Sequence, residues 1–323
     1  MTGGILTLTM NPAVDVSAVT DHVVPTNKLR CRDASRDSGG GGINVARVIG
    51  RFGVACRAIY PAGGALGQQL RDILQEQGVD SLAIDVAAET RESFSVTEAS
   101  SGAQYRFVLP GEALVQGDWQ ACIDAVADHA KPQHYVVASG SLPPGAPDDL
   151  YARLAEKLAD RDVRLVVDSS GPALGAALRH GIYLAKPNLQ ELRDLTGAPL
   201  ERRADWEEAA SELVRDGRAE IVLLTLGEAG AFMVTRDFRV RAEAVPVKAV
   251  SAVGAGDSFL AAMVWRLAWG DVPEAAFRYA VAAGSAALLT PGTDLCHKED
   301  VERLLDQVRT ERIGVASTDS SEG

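Results

Sequence analysis

Short, almost wholly apolar runs recur along this chain with amphipathic stretches between them, and that alternation restricts the fold more than any other feature. Ile5–Thr9, Tyr135–Ser139, Leu165–Asp168 and Ile221–Thr225 read as strands without a polar face. Such strands are buried on both sides, as in a parallel sheet covered by helices. Asn44–Phe52, Gly67–Gln77, Pro147–Asp160 and Asp205–Asp216 are the matching helical segments. With 323 residues, 46% of them apolar, the chain can bury a sizeable core.

Two stretches break the rhythm. Val14–Asp37 and Ser93–Val108 alternate polar and apolar residues without the helices that crossovers need. They predict a small β-sheet projecting from the main body as a lid over a cleft. A sheet of that kind has edges and an apolar face to hide, which predicts a homodimer formed through it. With no linker in view, residues 1–312 read as a single domain, lid strands included (about 14–37 and 93–108). The small, polar residues 313–323 read as a disordered tail.

Net charge is −12, which argues against a nucleic-acid partner, because a phosphate backbone needs a basic face. An anionic substrate must then be gripped by a local basic cluster. Cys31, Cys56, Cys122 and Cys296 are scattered, without a C-x-x-C pair or metal-ligand spacing, and read as reduced thiols in a cytoplasm. Neither a signal peptide nor an apolar run of membrane-spanning length is present, so a soluble protein is expected.

The motif richest in chemistry is Val253-Gly254-Ala255-Gly256-Asp257-Ser258-Phe259, a glycine turn leading into the apolar segment Ser258–Trp269. Its N–H groups can converge at a helix N-terminus, a natural place for phosphate. Asp257 there reads either as a helix cap or as a base that takes a proton from a hydroxyl. Four glycines, Gly39, Gly40, Gly41 and Gly42, run into Asn44, which fits either a close backbone approach to a ligand or a flexible turn. Asp15, just past the first strand, can clamp sugar hydroxyls or simply form a turn. Lys28, Arg30, Arg91 and Arg106 cluster in the irregular stretches as candidates for gripping a substrate phosphate. Asn188 and Glu191 at a helix start suit Mg²⁺ held through water, or equally a capping box. Thr225, Gly227 and Gly230 form a further strand-to-glycine turn suited to a nucleotide. Neither G-x-x-x-x-G-K-[ST] nor G-x-G-x-x-G occurs.

Taken together, these segments resemble the PfkB-type carbohydrate kinases of the ribokinase-like superfamily, from about Leu6 to Leu305. Gly39–Ala46 matches the family's first signature, Val253–Ser258 its second, and Lys186-Pro187-Asn188-x-x-Glu191 its Mg-linked element. Within the family the chain is most similar to the ribokinase-type 6-phosphofructokinases. Lys28-Leu29-Arg30-Cys31, Tyr105-Arg106-Phe107-Val108 and Ser139-Gly140-Ser141-Leu142-Pro143-Pro144-Gly145 carry that likeness, with the four unbroken glycines. The resemblance implies a ribokinase-like three-layer αβα sandwich with a mostly parallel sheet and a β-sheet lid.

It further implies ATP-dependent phosphorylation of the 1-hydroxyl of fructose 6-phosphate, with tagatose 6-phosphate and fructose 1-phosphate as rival acceptors. A catalytically silent sugar-phosphate sensor is the reading from another class. Asp257 would be the base, kept ionised by its helix N-terminus, and Gly254, Ala255 and Gly256 would complete an anion hole. Asp15, Gly39 to Gly42 and Asn44 would hold the sugar, with Lys28, Arg91, Arg106 and Ser141 near its phosphate. Lys186, Asn188, Thr225, Gly227 and Gly230 would face ATP, and Asp168 with Glu191 would organise Mg²⁺. Some family members also bind K⁺. Here the matching residues are Ser251, Val253, Ala287, Thr290, Gly292 and Asp294. One departure is Ala252, where the family usually has Thr.

Overall fold

A computed structural model describes residues 3–314. In chain order its first strands are β1 (Ile5–Leu8), β2 (Ala13–Thr20), β3 (Arg32–Gly39), β4 (Cys56–Ala62), β5 (Ser81–Asp85), β6 (Arg91–Glu98) and β7 (Gln104–Val108). There follow β8 (Tyr135–Ser139), β9 (Arg164–Asp168), β10 (Ile182–Ala185), β11 (Ala219–Thr225), β12 (Ala231–Thr235), β13 (Arg239–Ala242) and β14 (Thr310–Ile313). The first helices are α1 (Gly41–Arg51), α2 (Gly64–Glu76), α3 (Gln116–His129), α4 (Leu150–Leu158) and α5 (Gly171–His180). The rest are α6 (Leu189–Thr196), α7 (Arg203–Arg215), α8 (Ala255–Trp269), α9 (Pro273–Ala287) and α10 (Lys298–Leu305).

Ten strands form one sheet in the order β14-β13-β12-β11-β10-β9-β8-β1-β4-β5. From β11 through β5 the pairings are parallel, and β12 to β14 extend the sheet antiparallel. Alternation along each strand sorts the core into two layers. Tyr135, Val137, Val166, Leu184, Ile221 and Leu223 pack with α1, α8 and α9. Val136, Ala138, Leu165, Val167, Val222 and Leu224 pack with α3, α4, α5 and α7. Both faces are covered, which explains why these strands read as unbroken apolar runs. The result is the expected three-layer αβα sandwich.

The second sheet, β3-β2-β6-β7, is built from the two stretches that lack crossover helices. In it β2 pairs in parallel with β6, aligning Asp15 with Ser93 and Ser17 with Ser95. Arg106 of β7 lies opposite Ser95. The tail expectation needs one correction. Ile313 is the last residue of β14 and pairs with Arg239, because a fourth antiparallel strand closes that edge of the sheet. Residues 315–323 lie outside the described residues.

Helix α1 starts three residues earlier than its amphipathic pattern suggested, so Gly41 and Gly42 are helical. Here the reason is close approach. A Cβ on Gly41 would sit 2.3 Å from Ser139 Oγ, and one on Gly42 would sit 2.8 Å from the Leu8 carbonyl oxygen. Only glycine lets the start of α1 rest on the ends of β1 and β8. Gly40 precedes it at φ 115°, a conformation that side chains rarely adopt. Thr9 caps the helix from the strand side, its hydroxyl accepting the Ile43 N–H at 2.8 Å.

Candidate active site

A cleft of about 390 Å³ opens at the carboxyl ends of the parallel strands, with the small sheet as its other wall. Parallel α/β sheets bind ligands at such strand ends. Consecutive strands deliver Ser139 at the end of β8, Asp168 at the end of β9 and Lys186 just after β10. Helix α8 points its N-terminus into the same space. Gly254, at φ 72°, turns the chain into that helix, and the N–H groups of Gly256 and Asp257 have no acceptor among the described residues. Ala255 N–H instead makes a long contact with the Ala252 carbonyl at 3.5 Å. Two unpaired donors and the helix dipole are able to hold an anion.

Asp257 sits beside that site, and its Oδ2 accepts from Asn44 Nδ2 at 2.8 Å. Burial, reinforced by the Asp168 carboxylate, pushes its pKa up to about 6, against the pull of Asn44, Lys186 and Arg106. The helix N-terminus therefore does not hold this carboxyl at its ordinary acidity. It is poised near neutrality, where a general base works best. Lys186, 6% exposed, pairs with Asp168 at 3.0 Å. Burial alone would lower Lys186, but Asp168, Asp257 and Glu191 outweigh it and raise its pKa, so it stays a cation.

Across the cleft, Asp15 lies where Gly39 makes room for it. A Cβ at Gly39 would fall 2.4 Å from the Asp15 carboxylate. Burial raises the Asp15 pKa, opposed by Arg91 and Arg106. Arg91 is anchored, donating to the Asn11 carbonyl at 3.1 and 3.2 Å and to the Leu109 carbonyl at 3.1 Å. The Arg106 side chain forms neither a hydrogen bond nor an ion pair among the described residues, so its fork is available to a ligand. Ser141 Oγ accepts from Asn11 Nδ2 at 3.3 Å.

The cleft thus gathers Asp15, Gly40, Gly41, Asn44, Arg91, Arg106 and Ser141 with Asp168, Lys186, Glu191, Gly254, Gly256 and Asp257. Val253 and Gly292 also line it. Lys28 does not join them: it lies in the exposed loop between β2 and β3, away from the cleft lining. Gly42, in the first turn of α1, is buried and outside the cleft lining. Thr225 ends β11 and bridges to Asn188, its N–H donating to the Pro187 carbonyl at 3.1 Å. Gly227 and Gly230 continue that rim outside the cleft. At Gly230 a Cβ would meet the Ala242 carbonyl oxygen at 2.1 Å, so packing on β13 accounts for that glycine.

Of the two readings of Asn188 and Glu191, the capping box is the one the geometry displays. Asn188 Oδ1 accepts the Glu191 N–H at 2.9 Å, and Glu191 Oε2 accepts the Asn188 N–H at 2.8 Å, which is a capping box. Glu191 nevertheless faces the cleft, and its Oε1 has no hydrogen-bond partner among the described residues. No group of three His, Cys, Asp or Glu gathers for a metal among those residues. A divalent ion beside Asp168 and Glu191 would therefore keep most of its waters, as Mg²⁺ does.

Several residues of the expected monovalent-ion set lie close together. Val250 and Ser251 N–H both donate to the Leu288 carbonyl, which brings 251–253 against the end of α9 near Ala287 and Thr290. Asp294 does not fit. Its carboxylate and its carbonyl are both taken by Arg51, at 2.9 and 2.8 Å, and a second cation there would be repelled.

Sequence reasoning missed Arg47, the lid hydroxyls Ser17, Ser93 and Ser95, and the pairing of Asp168 with Lys186. Strand register brings the lid serines in, and nothing local in the sequence marks it.

A model of the pfkB family of carbohydrate kinases matches residues 8–300. The chain belongs to that family. It is 43% identical over 302 residues to the ATP-dependent 6-phosphofructokinase isozyme 2 of Mycobacterium tuberculosis, covering 94% of this chain and 89% of that protein. Identity to the Escherichia coli isozyme 2 is 40% over 301 residues, covering 93% and 97%. Among solved structures, phosphofructokinase-2 from E. coli in complex with potassium superposes with a TM-score of 0.91 at 40% identity, covering 94% of this chain and 99% of that one.

Proposed function

We propose that this chain transfers the γ-phosphoryl group of ATP to the 1-hydroxyl of fructose 6-phosphate, giving fructose 1,6-bisphosphate and ADP. The observation that carries the reading is Asp257, held by Asn44 beside the two free N–H groups of α8. The sugar hydroxyl gives its proton to Asp257 while its oxygen attacks phosphorus, and the bond to the ADP oxygen breaks. The Gly256 and Asp257 N–H groups stabilise charge on the transferred group, with Lys186 beside them. Asp15, Asn44 and the backbone of Gly40 and Gly41 hold the sugar hydroxyls. Arg106, Arg91 and Ser141 receive the 6-phosphate. Lys186 and the rim formed by Asn188, Thr225, Gly227 and Gly230 face the nucleotide. Mg²⁺ would neutralise charge on the ATP phosphates, held through water by Asp168 and Glu191. K⁺ would sit among Ser251, Val253, Ala287, Thr290 and Gly292, without Asp294.

The direct test is ADP release across fructose 6-phosphate, fructose 1-phosphate, tagatose 6-phosphate and unphosphorylated sugars, in potassium and in choline buffers. Fructose 6-phosphate is expected to give the highest kcat/KM, with faster turnover in potassium. A higher kcat/KM for another acceptor would replace the substrate, and binding without ADP release would make the protein a sensor. In the same assay Arg106→Ala is expected to raise KM for the phosphosugar about tenfold or more while leaving KM for ATP unchanged.

The lid also supports a homodimer. Its outer face exposes Phe94, Tyr105 and Phe107, the last to 56%. Such a patch on a projecting sheet is a self-association surface. Light scattering of Phe107→Asp is expected to give half the mass of the wild type, and an unchanged mass would rule this face out. Four free thiols suit a reducing cytoplasm. Among the described residues no helix is long and apolar enough to cross a membrane.

A further inference from the structure

Arg47 is a buried cation to which the chemistry above gives no part. It lies in α1, one turn beyond Asn44, and is only 6% exposed. Its Nη1 donates to Asn44 Oδ1 and to the Ser38 carbonyl, each at 3.2 Å. A guanidinium offers donors and no acceptor. Asn44 must therefore turn its oxygen toward Arg47, which leaves Nδ2 to donate to Asp257 Oδ2 at 2.8 Å. The inverted amide would set N–H against N–H at Arg47 and oxygen against carboxylate at Asp257.

We propose that Arg47 is a positioning residue for phosphoryl transfer: by locking the Asn44 amide it occupies Oδ2 of Asp257 and reserves Oδ1 for the substrate proton. The inference rests on Asp257 being the base. Asn44 makes the only side-chain hydrogen bond to Asp257 among the described residues. The other charges near Asp257 are Asp168, Lys186 and Arg106. Around Arg47 lie Asp15 and Asp37 of the lid, Asp294 beyond α9, and Arg51 on its own helix. All of these act through space, so the amide alone sets which carboxylate oxygen is free.

The test compares R47M, R47K and R47Q by steady-state kinetics and thermal melts, with R47M repeated in an N44L background. R47M is expected to lower kcat on the order of 10- to 100-fold, the scale of a misplaced catalytic group, with KM for ATP within about twofold of wild type. R47K still presents only donors and is expected to recover most of that loss. R47Q can offer an acceptor and let the amide invert, so its kcat should fall below that of R47K. In the N44L background R47M should remove little further turnover, because both act through one amide. An unchanged kcat in R47M, or the same fold-loss in both backgrounds, would overturn the inference. Should R47M fail to fold, equal kcat in R47K and R47Q would overturn it. A fully active Asp257→Asn enzyme would instead remove the base assignment, whereas an inactive one beside a fully active R47M would sink only the role of Arg47.

Discussion

Replacing Asp257 with asparagine is expected to lower kcat on the order of 10²–10⁴-fold, the usual contribution of a positioned base, and at the same time to raise the melting temperature. The second effect follows from proton linkage at the buried carboxyl. Folding lifts this carboxyl from 3.8 to about 6, so the folded chain binds the proton more tightly than the unfolded one. Ionising it therefore destabilises the fold. The penalty is absent below the unfolded pKa, grows between 3.8 and about 6, and is fully present above that. A shift of about two units corresponds to at most about 3 kcal/mol near neutral pH. Asparagine cannot ionise, and its side-chain oxygen still accepts from Asn44 Nδ2. Melts at about pH 7.5 should show D257N above wild type, with the gap closing near pH 4. Wild-type turnover should fall along an acid limb near pH 6 as the base takes up its proton. A variant that melts below wild type at neutral pH would mean that Asp257 stabilises the site it serves.

The Lys186→Met variant is expected to act in the opposite sense on stability. Its side chain is 7% exposed, and its ammonium lies 3.0 Å from Asp168, whose side chain is 14% exposed. Removing one partner of a buried ion pair leaves an unpaired charge and costs about 3–5 kcal/mol. Asp257 and Glu191 lose the same cation, so the acid limb should also move to higher pH. Turnover is expected to drop on the order of 10²–10³-fold, as when an electrostatic stabiliser of the transferred group is lost. The double variant K186M/D168N separates the two effects. Neutralising Asp168 should restore part of the stability measured by urea unfolding and none of the turnover. Recovery of activity in the double variant would show that Lys186 serves Asp168 rather than the phosphoryl group.

Reading the strands from sequence worked where burial is two-sided. Tyr135–Ser139 and Ile221–Thr225 are apolar throughout because one side chain enters each core layer in turn. The lid strands were legible for the converse reason, since one face of that sheet meets solvent. Reading the start of α1 failed because glycine is a poor helix former, and only the nearness of Ser139 and the Leu8 carbonyl explains why it is tolerated there. Its place in an irregular stretch groups Lys28 with Arg91 and Arg106, but its loop runs outside the cleft.

Residue types and their order along the chain were enough to identify the layered fold, the family and most of the residues that meet in the cleft. Those properties depend on local pattern: two-sided burial, glycine turns and the motif spacings. What tertiary structure alone decided is how those residues act on one another. Asp257 is poised near neutrality by its burial beside Asp168, Lys186 is tied to a carboxylate 18 positions earlier, and Arg47 turns the amide that Asp257 sees. Desolvation and short-range electrostatics depend on distances across strand ends and helix starts, and those distances exist only once the layers have packed.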